Sequence, residues 1–346
     1  MTTRGDSAEI YRSVYPYELP PDDFDPLQAT DRQLAEYGLP ERWYADTEPR
    51  YLEFWREMVG PTPTGVARKL VSYADPRAAE FPEVWQVPMP RARFDHRENS
   101  QNWSGAYITP IPRPNRFMVV AGSWTVPAAE PPGIVPSGVN PTAAEYRSST
   151  WIGIGGHRAY NTMPQSGTSQ FVTVNGATAT TKFGAWWQWW VDGRPAHHRP
   201  NEIPTIDVLA GDHMLAMIII EAPSPGEAHF ILANQRSGFL VAFKVRAPAY
   251  IEPLGSTAEW VHERPSEPIT KRRFPLPKCS DVVFKHCFAL NAPGFGTPMT
   301  LQDLHQNARL IRMAEHFDDP HPSALVSLPE RLNDTSLSIK YKEAGG

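Results

Sequence analysis

Proline interrupts this chain at 37 of its 346 positions, and glycine at 23 more. Proline lacks an amide proton and clashes with the preceding turn of a helix. Its frequency here is about twice the roughly 5% of ordinary proteins, which excludes a helical bundle or a coiled coil. The 11 Trp, 12 Tyr and 15 Phe, within 41% hydrophobic residues, supply more apolar material than a disordered chain carries. What fits both facts is a β-rich globular domain with long loops and an appended segment.

The appended segment is read from charge and from helix signals. Residues 1–100 hold 18 acidic and 12 basic side chains, whereas 101–346 are nearly balanced. Thr30-Asp31-Arg32-Gln33 has the form of a capping box, in which the Thr30 and Gln33 side chains satisfy orphan amides at a helix start. That helix should stop at Gly38, with Pro40 just beyond. A second should begin near Thr47, carry Tyr51, Leu52, Trp55, Met58 and Val59 on one face, and end at Gly60-Pro61. Pro82, Pro88 and Pro90 then suggest an extended connector. The division is therefore a helical, acidic extension over 1–100, either a prosegment or a permanent flank, and a second domain over 101–346.

In that second domain the period changes to two. Phe117–Ala121 and Ser123–Val126 read as a hairpin region. Strand-like runs follow at 151–154, 171–174, 184–190, 214–220, 230–232 and 239–245, separated by Pro, Gly, Asn and Ser clusters as in a β-sandwich. Late strands at 282–284, 308–313 and 336–341 complete it, with a brief helical turn opening at Thr300 and Asp303 at the capping distance.

Composition narrows the function. A net charge of −5 offers no basic excess for a nucleic-acid backbone. The longest apolar runs, such as Leu215–Ile220, fall far short of the ~20 residues of a membrane helix. The first thirty residues are broken by Asp6, Glu9, Glu18 and Asp22, so no signal core is expected. A cytoplasmic address follows by default, with export by another route left open. Cys279 and Cys287 are expected to be two separate thiols. Arg4-Gly5-Asp6 and the sequons at Asn102 and Asn333 carry no weight in such a chain.

The usual catalytic signatures are missing: there is no Gly-x-Ser-x-Gly elbow and no phosphate loop. His262-Glu263 starts like a zinc-peptidase helix, but Ser266 stands where its second histidine belongs, and the adjacent His197 and His198 point different ways on a strand or loop. No metal site is expected, since zinc takes three or four ligands. What stands out is Trp186-Trp187-Gln188-Trp189-Trp190. On a strand Trp186, Gln188 and Trp190 face one way and Trp187 and Trp189 the other. A core absorbs one such face, while two suggest that one lines a groove. Ile152 and Ile154 share a face, with Trp151, Gly153 and Gly155 opposite. Residues 101–190 contain only Glu130 and Glu145 as acids, so a groove there works with neutral groups such as Gln165 and Gln188. Later in the chain, Glu259, Val261 and Glu263 share a face opposite Ala258, Trp260 and His262.

Taken in order, Asn102-Trp-Ser-Gly-Ala, Ser123-Trp-Thr-Val-Pro, Trp151-Ile-Gly-Ile-Gly-Gly, Met163-Pro-Gln165-Ser-Gly, Ala185-Trp-Trp-Gln-Trp and Ala258-Glu-Trp-Val-His-Glu263 resemble the eqolisins, the glutamic peptidases, and the likeness extends weakly to about residue 342. The resemblance implies an all-β, concanavalin A-like sandwich of two antiparallel sheets. It implies an endopeptidase acting on polypeptide without a metal, cofactor or covalent intermediate. It places the catalytic pair at Gln165 and Glu263, and substrate-binding side chains at Trp103, Trp151, Trp186 and Gln188. Glu263 would activate water as a general base and return the proton to the leaving amine, while the Gln165 amide would donate to the oxyanion. The family usually carries acids where this chain has Gly155, Ser169 and Gln188. Each loss removes a negative neighbour that would disfavour ionising Glu263, so the family's acid optimum does not carry over directly, and the expected optimum is less acidic than that of secreted relatives. The same residues leave a second reading open, a non-catalytic lectin-like module binding glycan or peptide through its tryptophans.

Overall fold

The computed structural model describes residues 13–42, 48–73, 97–157, 162–223, 226–267, 272–315 and 325–343. Ahead of residue 101 lie β1 (Val14–Pro16), α1 (Asp31–Glu36), α2 (Pro49–Val59), β2 (Lys69–Val71) and β3 (Arg97–Ser100). The next strands are β4 (Trp103–Ile108), β5 (Arg116–Thr125), β6 (Ala129–Glu130), β7 (Ala143–Ile154), β8 (Thr162–Asn175), β9 (Thr178–Val191) and β10 (Asn201–Glu202), with a 3-10 turn at Pro195–His198. There follow β11 (His213–Pro223), β12 (Gly226–Asn234), β13 (Phe239–Arg246), β14 (Ala258–Glu263), β15 (Lys278–Cys279), β16 (Val282–Ala292) and β17 (Thr300–Asp303). The chain closes with α3 (Leu304–Asn307), β18 (Arg309–Ala314), β19 (Leu325–Asn333) and β20 (Ser336–Tyr341).

Two layers result, almost wholly antiparallel. One sheet runs β10-β9-β8-β7-β14-β4-β18. The other runs β13-β12-β11-β5-β16-β20. They are continuous at one edge because β19 pairs with both β18 and β20. Between them lies the main apolar core, to which one sheet gives Ile152, Ile154, Trp187, Trp189 and Trp260, and the other Val120, Trp124, Met217 and Leu232. Trp124 Nε1 donates to Thr168 Oγ1 at 3.0 Å, and Trp260 Nε1 to the Ala121 carbonyl at 2.8 Å, so the buried indoles also tie the layers by hydrogen bonds.

The residue signals explain most of the elements. The Thr30–Gln33 capping box forms, and α2 ends on Gly60. The expected hairpin at 117–126 is instead one unbroken strand, β5. Gly122 does not turn the chain there. A Cβ at that position would stand 2.9 Å from the Trp260 indole, so its glycine allows close approach of the facing sheet. The helical turn expected at Thr300 lies one step later: Thr300–Asp303 is strand, and Asp303 itself caps α3 in a box with Gln306.

The segment before residue 101 is not helix alone. Strands β1 and β2 pair with the edge strand β13, the second in parallel, and β3 runs parallel to β18. Tyr51, Phe54, Trp55, Met58 and Val59 of α2 belong to the main core, with Phe54 edge-on to Phe288 at 5.5 Å. The connector expected around Pro82, Pro88 and Pro90 lies outside the described residues.

Candidate active site

Strand register decides which side chains meet. Directly opposed residues of an antiparallel pair project to the same side, and so do residues two apart on one strand. Gln165 opposes Gly153 on β7 and Gln188 on β9. Glu263 opposes Ser149 on β7 and Trp103 on β4. Since Ser149, Trp151 and Gly153 alternate along β7, Gln165, Gln188, Trp151, Glu263 and Trp103 share one face, the outer one relative to the main core. Gln165 and Glu263 lie two strands apart and offset diagonally, with Trp151 between their rows.

That face carries a second aromatic cluster, in which Trp103, Trp151, Trp186 and Trp190 pack with Tyr107, Met163, Phe171, Val261, Phe274 and Ile311. Its separation from the main core matches the alternation read in residues 186–190. The cluster is not open to solvent: Trp103, Trp151 and Trp186 are at most 1% exposed, and Gln165, Gln188 and Glu263 are fully buried. Phe274 packs on it from a loop, and the 3-10 turn folds back so that His198 stacks on Trp190 at 5.3 Å.

Glu263 is held by neutral donors. Trp151 Nε1 donates to its Oε2 at 2.9 Å, and Asn102 Nδ2 to its Oε1 at 3.4 Å. Burial pushes the carboxyl up to about 8, while Trp151, Trp103 and Asn102 pull it back toward the ionised form. The role of Asn102 is hidden in the sequence; its only signal is its place just before Trp103. Gln165 Nε2 donates to Gln188 Oε1 at 2.8 Å, and Gln188 Nε2 donates to the His197 carbonyl at 2.8 Å.

The other acid of the sequence pair, Glu259, opposes Gly153 and Tyr107 and shares a row with Gln165. It is fully buried, and desolvation pushes it up to about 8 despite Thr257 and the backbone of Gly156, His157 and Gly155. Beyond it Tyr107 donates to Glu98 Oε1 at 2.6 Å, and His157 Nε2 lies 2.9 Å from Glu98 Oε2. His262 faces the opposite way, near Thr150 Oγ1 at 3.1 Å, and burial lowers its ring to about 4. Ser169, where family likeness would place an acid, meets Ser149 Oγ at 2.6 Å. Cys279 and Cys287 are separate, buried thiols. No helix of the described residues is long and apolar enough to cross a membrane.

The two-layer β-sandwich thus gathers a glutamine, a glutamate and four tryptophans on one outer face. Residues 101–315 match the family model described as the peptidase A4 family, and the chain belongs to that family, the eqolisins. It is a glutamic-type endopeptidase by family. Scytalido-glutamic peptidase, solved with a transition state analog inhibitor, is 18% identical at a TM-score of 0.51, covering 70% of this chain and 98% of that one. Its complex with a peptide-based transition state analog gives the same identity and coverage at 0.50. Aspergilloglutamic peptidase from Aspergillus niger is 17% identical at 0.41, covering 57% of this chain and 99% of that one. No curated protein sequence matches the chain significantly.

Proposed function

We propose that this protein hydrolyses internal peptide bonds by a single attack of water, with Glu263 as the general base and Gln165 as the oxyanion donor. The observation that carries this reading is their common face. A carboxyl held only by neutral donors and an amide held by a second amide lie together under one aromatic cluster. Ionised Glu263 takes a proton from water as the oxygen attacks the carbonyl carbon. The Gln165 amide, oriented by Gln188, donates to the developing oxyanion as it forms, an interaction worth roughly 3–4 kcal/mol in comparable sites. Collapse of the tetrahedral intermediate returns the proton from Glu263 to the leaving amine, so atoms and charge balance without a covalent enzyme intermediate.

Trp103, Trp151 and Trp186 are then the walls against which an extended polypeptide packs. Their burial implies that substrate enters by displacing what covers them. The deciding experiment is hydrolysis of an unfolded protein from pH 2 to 8 by wild type, Glu263→Gln and Gln165→Ala. Activity in wild type, lost by at least a hundredfold in both folded variants, is expected. Hydrolysis that survives Glu263→Gln would refute the assignment. Absence of hydrolysis by wild type at every pH would favour the binding-module reading of the same tryptophans.

A further inference from the structure

The geometry points to Gln188 as a positioning residue that fixes the Gln165 amide by a neutral relay, keeping the oxyanion donor correctly oriented across the pH range in which a carboxylic acid at that position would fail. The inference rests on the proposed role of Gln165.

The relay runs in one direction only. The His197 carbonyl accepts and cannot donate, so the amide nitrogen of Gln188 must face it, at 2.8 Å. The oxygen of Gln188 is thereby turned to β8, where it accepts from Gln165 Nε2 at 2.8 Å. Gln165 must in turn present nitrogen, not oxygen, on that side. A backbone carbonyl thus sets the orientation of two successive amides, and both are fully buried, where a reversed amide would place oxygen against oxygen.

The terminus of the relay is itself secured. His198 Nε2 donates to the Val191 carbonyl at 2.8 Å and its ring stacks on Trp190, which holds the 3-10 turn against β9. A carbonyl acceptor requires the proton on Nε2, and that proton is present in the cationic ring and in the neutral tautomer that this contact selects. Titration of His198 therefore leaves the clasp in place.

The titratable and charged groups around Gln188 are few, and the row that it shares with Gln165 continues through Gly153 to Glu259 of β14. The 3-10 turn and its exit bring His197, His198 and Arg199; Arg199 and Arg246 of β13 line the small cavity beside Gln188. Strand β10 brings Glu202, opposite Trp186, which burial shifts upward. The facing stretch of β8, Met163–Ser169, brings none. Neither relay hydrogen bond uses an ionisable atom.

A glutamate in place of Gln188 would complete the relay only when protonated, since one oxygen must donate to the His197 carbonyl while the other accepts from Gln165. Once ionised it offers two acceptors, one of them against a carbonyl, and the turn or the Gln165 amide must shift.

The test compares Gln188→Glu and Gln188→Leu with wild type by kcat and KM on a denatured protein from pH 3 to 8. Gln188→Glu should stay within about threefold of wild type in kcat below its midpoint, then lose about tenfold per pH unit above it, with KM little changed. Gln188→Leu should lose at least tenfold in kcat at every pH, without recovery in acid. A Gln188→Glu profile of wild-type shape, or a Gln188→Leu kcat equal to wild type, overturns the relay. A second readout does not need activity. The Gln165 side-chain amide resonances, assigned by their absence in Gln165→Ala, should follow the new carboxyl in Gln188→Glu, whereas in wild type they should stay fixed from pH 4 to 6, below the range near 8 in which Glu259 and Glu263 ionise. A wild-type amide that titrates between pH 4 and 6 overturns the relay even if the variants do not fold. Total absence of hydrolysis would strike the peptidase assignment alone, leaving the resonances to decide this one.

Discussion

The Trp151 indole donates to Glu263 Oε2 at 2.9 Å, from the strand next to the one that carries the carboxylate. Trp151 is therefore both part of the aromatic wall and a determinant of the protonation of Glu263. Its N–H favours the ionised form, against the desolvation that holds the carboxyl near 8.

Replacing Trp151 by Phe keeps a ring in the cluster and removes the donor. The acid limb of the kcat/KM profile, which reports the free enzyme's Glu263, should then move to higher pH by about 1. Activity at pH 6 should fall about tenfold, because on the acid side of its midpoint the ionised fraction of Glu263 drops in proportion as that midpoint rises. The check is the pH profile from 4 to 9. An acid limb that does not move would separate Trp151 from the base.

Two buried carboxyls raised above their ordinary value make stability depend on pH in a defined sense. Glu259 and Glu263 lie at about 8 when folded, against 4.5 for an ordinary glutamate. Between those values the native state binds more protons than the unfolded chain, so stability falls as pH rises from about 4.5 to about 8. Glu259→Gln keeps the shape and cannot ionise. Its Tm should exceed that of wild type by about 2 °C or more at pH 8, with the difference vanishing near pH 4. Thermal melts of both proteins across pH 4–8 measure this directly.

Glu57 supplies the opposite sign. This residue of α2 accepts from His213 of β11 and His286 of β16, each at 2.9 Å, and so binds the N-terminal segment to the sandwich. Although burial works the other way, the two histidines hold its carboxyl well below the ordinary value. Its contribution is present above about 4.5 and is lost as pH falls toward its lowered folded value. Glu57→Gln should cost about 1–3 kcal/mol at pH 6, and the deficit should shrink steadily below pH 4.5. Together with the apolar face of α2 in the main core, this clamp favours a permanent flank over a removable prosegment. Active preparations should retain residues 13–73 on mass analysis.

What is legible in the sequence is local or periodic. The Thr30–Gln33 box, the Gly60 stop and the alternation through Trp186–Trp190 each depend on residues a few positions apart, and each is found in the structure. Strand β5 reads as a hairpin because a glycine between two β-forming runs has the form of a turn, while the indole that requires it comes from Trp260, 138 residues later. The short strands β1, β2 and β3 exist only through their partners, so no period marks them. The Gln165–Gln188 bond is a matter of register between two 14-residue strands, and among the described residues Phe274 and the turn at 195–198 pack onto the tryptophan cluster from distant parts of the chain. Neither is encoded within a window around the residues concerned.

Gly153 lies between Gln165 and Glu259 in one row across β8, β7 and β14, where the lack of a side chain makes room for the edge of the Trp151 ring. A Cβ there would stand 3.0 Å from Trp151 Cζ3 and 3.3 Å from Gln165 Cβ, contacts that side chains relieve by shifting a few tenths of an ångström. At Gly167, two residues along β8 from Gln165, a Cβ would stand 2.2 Å from the Thr150 carbonyl oxygen, which is backbone and cannot yield. The two glycines should therefore respond differently. Gly153→Ala is expected to fold with a modest loss of Tm and to lose at least tenfold in kcat, because displacement of Trp151 and Gln165 disturbs the base and the donor together. Gly167→Ala is expected to fail to accumulate as folded protein. Soluble yield, Tm and kcat for the pair measure this contrast, and a Gly153→Ala enzyme with full activity would show that the close packing of Trp151 and Gln165 on Gly153 plays no part in holding the reacting groups.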